Sequence, residues 1–158
     1  MIKRELYMNR IRPFIGGELI KVMTGIRRSG KSVMLELIKE ELAEAGVAPS
    51  QMISINFEDM RYSHLQTATA LHGEIIKRAE GIEGKAYLFF DEIQEVEGWE
   101  KCVNSLRVAL DCDIYITGSN AKLLSGELAT YIGGRYVEFV IYPFSFAEFL
   151  ELYHTIAP

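Results

Sequence analysis

Cysteine is scarce. The 158 residues hold two, Cys102 and Cys112, which supply neither a dense disulfide framework nor a four-ligand cysteine cluster. Three histidines, His64, His72 and His154, share no metal-ligand spacing with each other or with the cysteines, and read as incidental. Nothing approaches 18 consecutive uncharged apolar residues, so no segment reads as a membrane span. Lys3, Arg4 and Glu5 stand where a signal peptide needs an apolar run. A basic excess is missing too: 17 Lys plus Arg face 22 Asp plus Glu, a net charge of -5. That balance disfavours a broad nucleic-acid surface, leaving room for a local basic patch without pointing to one. The tyrosines are scattered, and no aromatic platform for stacking single-stranded bases is evident. There is no internal repeat and no low-complexity segment.

What is present is globular usage, 49% hydrophobic and 25% charged. The length is that of one domain, enough to bury about two-thirds of the unfolded chain's surface without a staple. The expectation is a cytosolic domain.

Residues 1–18 predict an amphipathic helix through Leu6, Arg10 and Phe14, stopped by Gly16 and Gly17 and packed on a core spanning 19–158. Within that core, strand and helix patterns alternate. Residues 19–24 predict a strand, and the helix from Lys31 carries Met34, Leu35, Ile38 and Leu42 at helical spacing up to Gly46. Strands follow at 52–57, 86–90, 114–117 and 136–141, with helices at 67–79, from Trp99 to Leu110, and at 121–131. The run AYLFF, apolar on both faces, marks a central strand of a parallel sheet. The pattern predicts an α/β three-layer sandwich with a mostly parallel five-stranded sheet. After Pro143, Phe146, Phe149, Leu150 and Tyr153 line one side of a further helix. Such a face wants cover, which suggests the first part of a longer protein.

Between the first strand and its helix, Gly25-Ile26-Arg27-Arg28-Ser29-Gly30-Lys31-Ser32 fits the phosphate-loop pattern GxxxxGK[ST] in full. Glycines at both ends let the backbone turn tightly, so that successive N–H groups form an anion-sized nest continued by the helix start through Val33. Lys31 is placed for the β- and γ-phosphates, and the Ser32 hydroxyl for Mg²⁺. Arg27 and Arg28 either touch phosphate, form salt bridges or face solvent.

The central strand ends in Asp91 and Glu92, at the sheet edge where α/β proteins bind ligands. Asp91 is the candidate Mg²⁺ holder, and Glu92 the candidate base for an attacking water. If the strand ending Thr117-Gly118-Ser119-Asn120 lies between the loop strand and the Asp91 strand, its end points at the γ-phosphate. Asn120 or Ser119 then positions water; the alternative is a turn or helix cap. Trp99 reads as a plug fastening its helix to the sheet, and Glu58 and Asp59 as a solvated turn.

Together, VMTGIRRSGKS, YLFFDEIQEVEGWE, ITGSNAKLLSGELATYIGGR and PFSFAEFL resemble the prokaryotic AAA-like ATPases whose longer members carry an uncharacterised C-terminal domain. The resemblance implies a sheet order 5-1-4-3-2 and binding of ATP and Mg²⁺. It matches Lys31 and Ser32 to the loop positions, Asp91 and Glu92 to the acidic pair, and Asn120 to a polar sensor. It makes Arg135, after Gly133 and Gly134, an arginine finger or an internal phosphate sensor; a surface salt bridge is the plainer alternative. It further implies that Asn56 holds the catalytic glutamate away until a partner binds. The family's small helical lid, with its second sensor arginine, has no counterpart after the fifth strand. No guanine-reading NKxD motif is present, which favours ATP. The leading expectation is Mg²⁺-dependent ATP hydrolysis, with self-association or a C-terminal domain as partner. The rivals are an ATP-binding switch with negligible turnover alone, and a small-molecule kinase, against which the paired acids weigh.

Overall fold

A computed structural model describes residues 4–119, 123 and 133–143. The expected helices over 121–131 and after Pro143, and the candidate Asn120, lie outside the described residues.

Four α-helices and five strands, joined in places by short 3-10 turns, make up the described residues: α1 (Glu5–Ile11), β1 (Ile20–Thr24), α2 (Lys31–Glu44), β2 (Met52–Asn56), α3 (Ala68–Ala79), β3 (Ala86–Asp91), α4 (Trp99–Ala109), β4 (Cys112–Gly118) and β5 (Tyr136–Val140). All strand pairs are parallel, in the order β2-β3-β4-β1-β5. Reversed, this is the 5-1-4-3-2 order that the resemblance implied. β4 therefore does lie between the loop strand β1 and the acidic strand β3.

Because successive strand residues face opposite ways, each central strand feeds two cores. Ile20, Val22, Leu88, Phe90, Ile114 and Ile116 pack against α3 and α4 through Leu71, Ile75, Val103 and Leu106. Met23, Phe89, Tyr115 and Phe139 face the other way, onto α1 and α2. Trp99 belongs to the first core, as a plug should. Thr67 caps α3, its hydroxyl accepting the Ala70 N–H at 3.3 Å. Gly73 inside α3 has no atom within 4 Å of where a Cβ would stand, so its helix cost of about 1 kcal/mol is set by backbone freedom, not by packing.

The first helix is shorter than its hydrophobic pattern. It stops at Ile11 because Pro13 tightens Arg12–Phe14 into a 3-10 turn. Tyr7, Met8 and Ile11 are buried in the second core. The turn that follows is tied down from inside the sheet. Asp113 accepts the Gly16 N–H at 2.9 Å and the Tyr115 hydroxyl at 2.5 Å, and pairs with the Lys21 ammonium. Lys21 also donates to the Gly17 carbonyl at 2.8 Å. Lys21 and Asp113 are wholly buried, and burial pushes the lysine below its ordinary range against the opposing pull of Asp113.

Candidate functional site

A parallel sheet sends every strand's C-terminal end to one edge. Thr24, Asn56, Asp91 and Gly118 therefore share an edge with the Gly25–Ser32 loop. The loop turns on two glycines for two different reasons. Gly25 runs so close to the Ile141 carbonyl that a Cβ would collide with it. Gly30 has φ +100, where a side chain is strained. Gly30 then starts α2, whose first residues are Lys31, Ser32 and Val33. Arg28 takes φ +64 without being glycine, a conformation that costs roughly 1 kcal/mol.

Four of the side chains singled out from the sequence, Lys31, Ser32, Asp91 and Glu92, converge here. The Ser32 hydroxyl donates to Asp91 at 2.6 Å, joining the loop to the end of β3. Lys31 is nearly buried and donates to the Gly25 and Ile26 carbonyls, both at 2.9 Å. Its ammonium stands 3.8 Å from Glu92. Glu92 itself takes φ +57, a left-handed turn forced on a non-glycine directly after β3. Its carboxylate accepts Gln94 Nε2 at 2.5 Å and the Ser119 hydroxyl at 2.8 Å, both on one oxygen. Thr117 sits beneath both acids, donating its hydroxyl to Asp91 at 2.5 Å and accepting the Glu92 N–H at 2.9 Å. A groove of about 280 Å³ opens beside this cluster, lined by Ser32, Val33, Glu36, Lys39, Asn56 and Asp91.

Not every expected residue joins. Ile26, Arg27 and Arg28 are exposed, and neither arginine takes a hydrogen bond or ion pair among the described residues. Of the three readings left open for them, the salt bridge finds no partner among the described residues, and both side chains stand in solvent beside the loop. Asn56 does not hold Glu92: its side-chain carbonyl accepts the Glu58 N–H at 3.0 Å. Gln94 and Ser119 hold its carboxylate instead, because the left-handed turn at Glu92 folds that carboxylate back toward them and away from β2. Arg135 is exposed at the opposite edge, where its carbonyl accepts the Ile20 N–H at 2.9 Å. The whole of β1 separates it from the loop, about 16 Å of strand at 3.3 Å per residue. An internal phosphate sensor is therefore excluded for it within one chain.

Sequence reasoning passed over three contributors. Thr117 was visible only as one letter of a strand end, although its spacing from Tyr115 places both on the α2 side of β4. Gln94 stands in the quoted YLFFDEIQEVEGWE block, but nothing in that block assigned it a role. Arg4 belongs to a segment read as an ordinary amphipathic helix.

The donor set suits a nucleotide with a divalent cation. Ser29 Oγ is buried in the loop without a partner, and the Ser32–Asp91 oxygen pair is the hard kind that Mg²⁺ prefers. Among the described residues no three His, Cys, Asp or Glu side chains gather as a protein-only metal cage, so a cation here would be shared with phosphate oxygens and water.

A family model described as AAA domain matches residues 17–150. The chain belongs to the AAA domain family. It is 48% identical over 151 residues to an uncharacterised protein of Haemophilus influenzae, covering 96% of this chain and 38% of that protein. An uncharacterised protein of Methanocaldococcus jannaschii is 41% identical over 133 residues, covering 84% of this chain and 28% of the relative. The chain thus spans well under half the length of both relatives. Among solved structures, a DNA replication initiation factor superposes with TM-score 0.64 at 14% identity, covering 98% of this chain and 50% of that one. AMPPCP-bound DnaA from Aquifex aeolicus gives 0.58 at 14% identity, covering 89% and 47%. At such identities these structures show the shared fold. Among the described residues no helix is long and apolar enough to cross a membrane.

Proposed function

We propose that this AAA domain binds ATP with Mg²⁺ on the Gly25–Ser32 loop and hydrolyses the β–γ bond, with Arg135 of a second copy completing the site. The observation that carries the reading is the meeting of Ser32 with Asp91 at 2.6 Å and of Lys31 with Glu92 at 3.8 Å, on one sheet edge. Loop N–H groups from Gly25 to Val33 hold the phosphates. Lys31 lies inside the loop and lines it for the β- and γ-phosphate oxygens. Ser32 and Asp91 hold Mg²⁺, which when bound neutralises charge developing on those oxygens.

Glu92 takes a proton from water through the carboxylate oxygen that Gln94 and Ser119 leave free. The water oxygen bonds to the γ-phosphorus as the bridging oxygen departs with ADP. Asn120, two residues after Gly118, is the proposed water-positioning side chain. Arg135, too far from its own loop, suits the charge on a neighbour's transferring phosphoryl group, a role worth several decades in turnover. The length of the relatives supports a second reading in the same site, an ATP-occupied switch read by chain beyond this segment.

Phosphate release in Mg²⁺-ATP, over a series of protein concentrations, tests the reading. Wild type should turn over with a specific activity that rises with concentration, while Lys31→Ala and Glu92→Gln lose turnover. Equal rates in all three proteins would overturn hydrolysis at this site. Tight ATP binding without turnover at any concentration would favour the switch.

A further inference from the structure

Arg4 is almost wholly buried although it lies just before the first helix. Its guanidinium donates from Nη1 to the Ser29 carbonyl at 2.6 Å and from Nη2 to the Tyr142 carbonyl at 2.6 Å. It stacks over the Tyr7 ring, 4.6 Å from the centroid. The Tyr7 hydroxyl in turn accepts the Tyr142 N–H at 3.0 Å. Three stretches distant in sequence thus meet on one planar cation: the segment before α1, the back of the Gly25–Ser32 loop, and the chain leaving β5.

The contact is close enough to restrict the loop. A Cβ at Gly30 would run into Arg4 Nη1 and displace the guanidinium, while the φ of +100 is what favours glycine there. On the loop's other shoulder, Gly25 packs against the Ile141 carbonyl, and the Ile141 N–H donates to Thr24 at 2.7 Å. The two residues that follow β5 therefore grip the loop at both ends, directly at Gly25 and through Arg4 at Ser29. Arg4 itself takes a left-handed conformation, φ 46 and ψ 53, which an L-residue keeps only where its surroundings enforce it.

We infer that Arg4 is a positioning residue for the loop, fixing the Ser29–Gly30 peptide so that its N–H faces an anion, and linking loop occupancy to the chain that leaves β5. The physical reason lies in one peptide plane. In a trans peptide the C=O and N–H point opposite ways. Anchoring the Ser29 carbonyl on the guanidinium directs the Gly30 N–H away from it. The planar fork serves the Ser29 and Tyr142 carbonyls from two separate nitrogens in a fixed geometry and stacks on the Tyr7 ring, which a lysine ammonium does not reproduce. A nucleotide that tightens the loop must then tighten Ile141 and Tyr142 as well. The affinity arm rests on the nucleotide reading above, while the loop geometry does not.

The experiment pairs binding of a fluorescent ATP analogue, with Mg²⁺, with amide hydrogen exchange of the nucleotide-free and ATP-loaded chain. Arg4→Met is the main variant, and Arg4→Lys is the milder one should the first fail to fold. Arg12→Ala is the control. It removes the contacts of Arg12 to Glu5 and Glu41 that dock α1 without touching the loop. Arg4→Met should bind roughly 10-fold more weakly than wild type, with Arg4→Lys between them and Arg12→Ala unchanged. Without nucleotide, amides 29–32 should exchange faster in the Arg4 variants. ATP should slow exchange at the Tyr142 amide in wild type but not in Arg4→Met.

Wild-type affinity together with wild-type exchange at 29–32 in the Arg4 variants would overturn the inference. So would an equal loss of affinity in Arg12→Ala, which would make the effect one of docking α1. If wild type itself binds no nucleotide, the proposed function falls, and exchange at 29–32 in the nucleotide-free proteins still decides the role of Arg4.

Discussion

Thr117 holds Asp91 by a 2.5 Å hydrogen bond from its hydroxyl, and the same oxygen accepts the backbone N–H of Glu92 at 2.9 Å. One wholly buried hydroxyl thereby organises two acids whose side chains leave β3 in different directions. It fixes the carboxylate that meets Ser32 and the turn that aims the carboxylate near Lys31.

Thr117→Val keeps the shape and removes the hydroxyl, leaving the Glu92 N–H buried and unpaired. The expected cost is about 1–3 kcal/mol of stability, read from urea unfolding. Thr117→Ser should retain most of it. The valine variant should also need more Mg²⁺ for half-maximal turnover, because Asp91 loses its fixed orientation.

Gln94 and Ser119 grip one oxygen of Glu92 and leave the other on the side of Lys31. A base held this way is aimed. Gln94→Ala should lower kcat roughly 10-fold with little change in KM, since misplacement of a reacting group by about 1 Å can cost still more. Steady-state kinetics in Mg²⁺-ATP reads the split.

The position of Arg135 at the far edge of the sheet gives a mixing test. Arg135→Ala keeps an intact loop, and Lys31→Ala keeps an intact arginine. Each should be nearly inactive alone. Mixed at equal concentration, they should recover a substantial fraction of wild-type turnover, because one composite site then has every group. Activity that stays at the sum of the separate rates would place the arginine outside the chemistry.

A buried thiol and a half-buried one lower stability at alkaline pH. Burial pushes Cys102 up to about 12, from an ordinary 9.0. Burial, with Asp113 and Asp111 adding to it, pushes Cys112 up to about 11. Burial and Asp113 raise the Tyr115 hydroxyl as well. The unfolded chain sheds these protons first, so the stability they contribute is complete below pH 9. It is lost as pH climbs from 9 toward 12, by at most about 1.4 kcal/mol per pH unit for each group. Lys21 opposes them, since its lowered value relieves a burial cost as pH rises toward 10.5. Urea unfolding between pH 8 and 11 should show falling stability, with a shallower fall in Cys102→Ala/Cys112→Ala.

The sheet was legible in the sequence because its central strand β3 is apolar on both faces, the other strands are rich in apolar residues, and its loop follows a fixed spacing. Lys31, Ser32, Asp91 and Glu92 could be assembled on one edge from parallel topology alone. The strand ends were less legible. β4 begins at Cys112, two residues before its apolar run, because Asp113 faces inward to a buried lysine, which a hydrophobic pattern cannot anticipate. The expected restraint by Asn56 failed for a conformational reason. Residue pairing places Asn56 opposite Asp91, yet the left-handed turn at Glu92 directs its carboxylate to Gln94 and Ser119. Arg4 escaped notice because its partners are backbone carbonyls, and a carbonyl's direction leaves no mark in the sequence.

Calorimetric titration of ATP, with and without Mg²⁺, into wild type, Lys31→Ala and Ser32→Ala tests the central claim most directly. Saturable one-to-one binding should appear in wild type and be lost or greatly weakened in Lys31→Ala, while Ser32→Ala should lose the Mg²⁺-dependent part of the affinity. Undiminished binding in both variants, or no binding by wild type, would contradict an ATP site on the loop that Ser32 ties to Asp91.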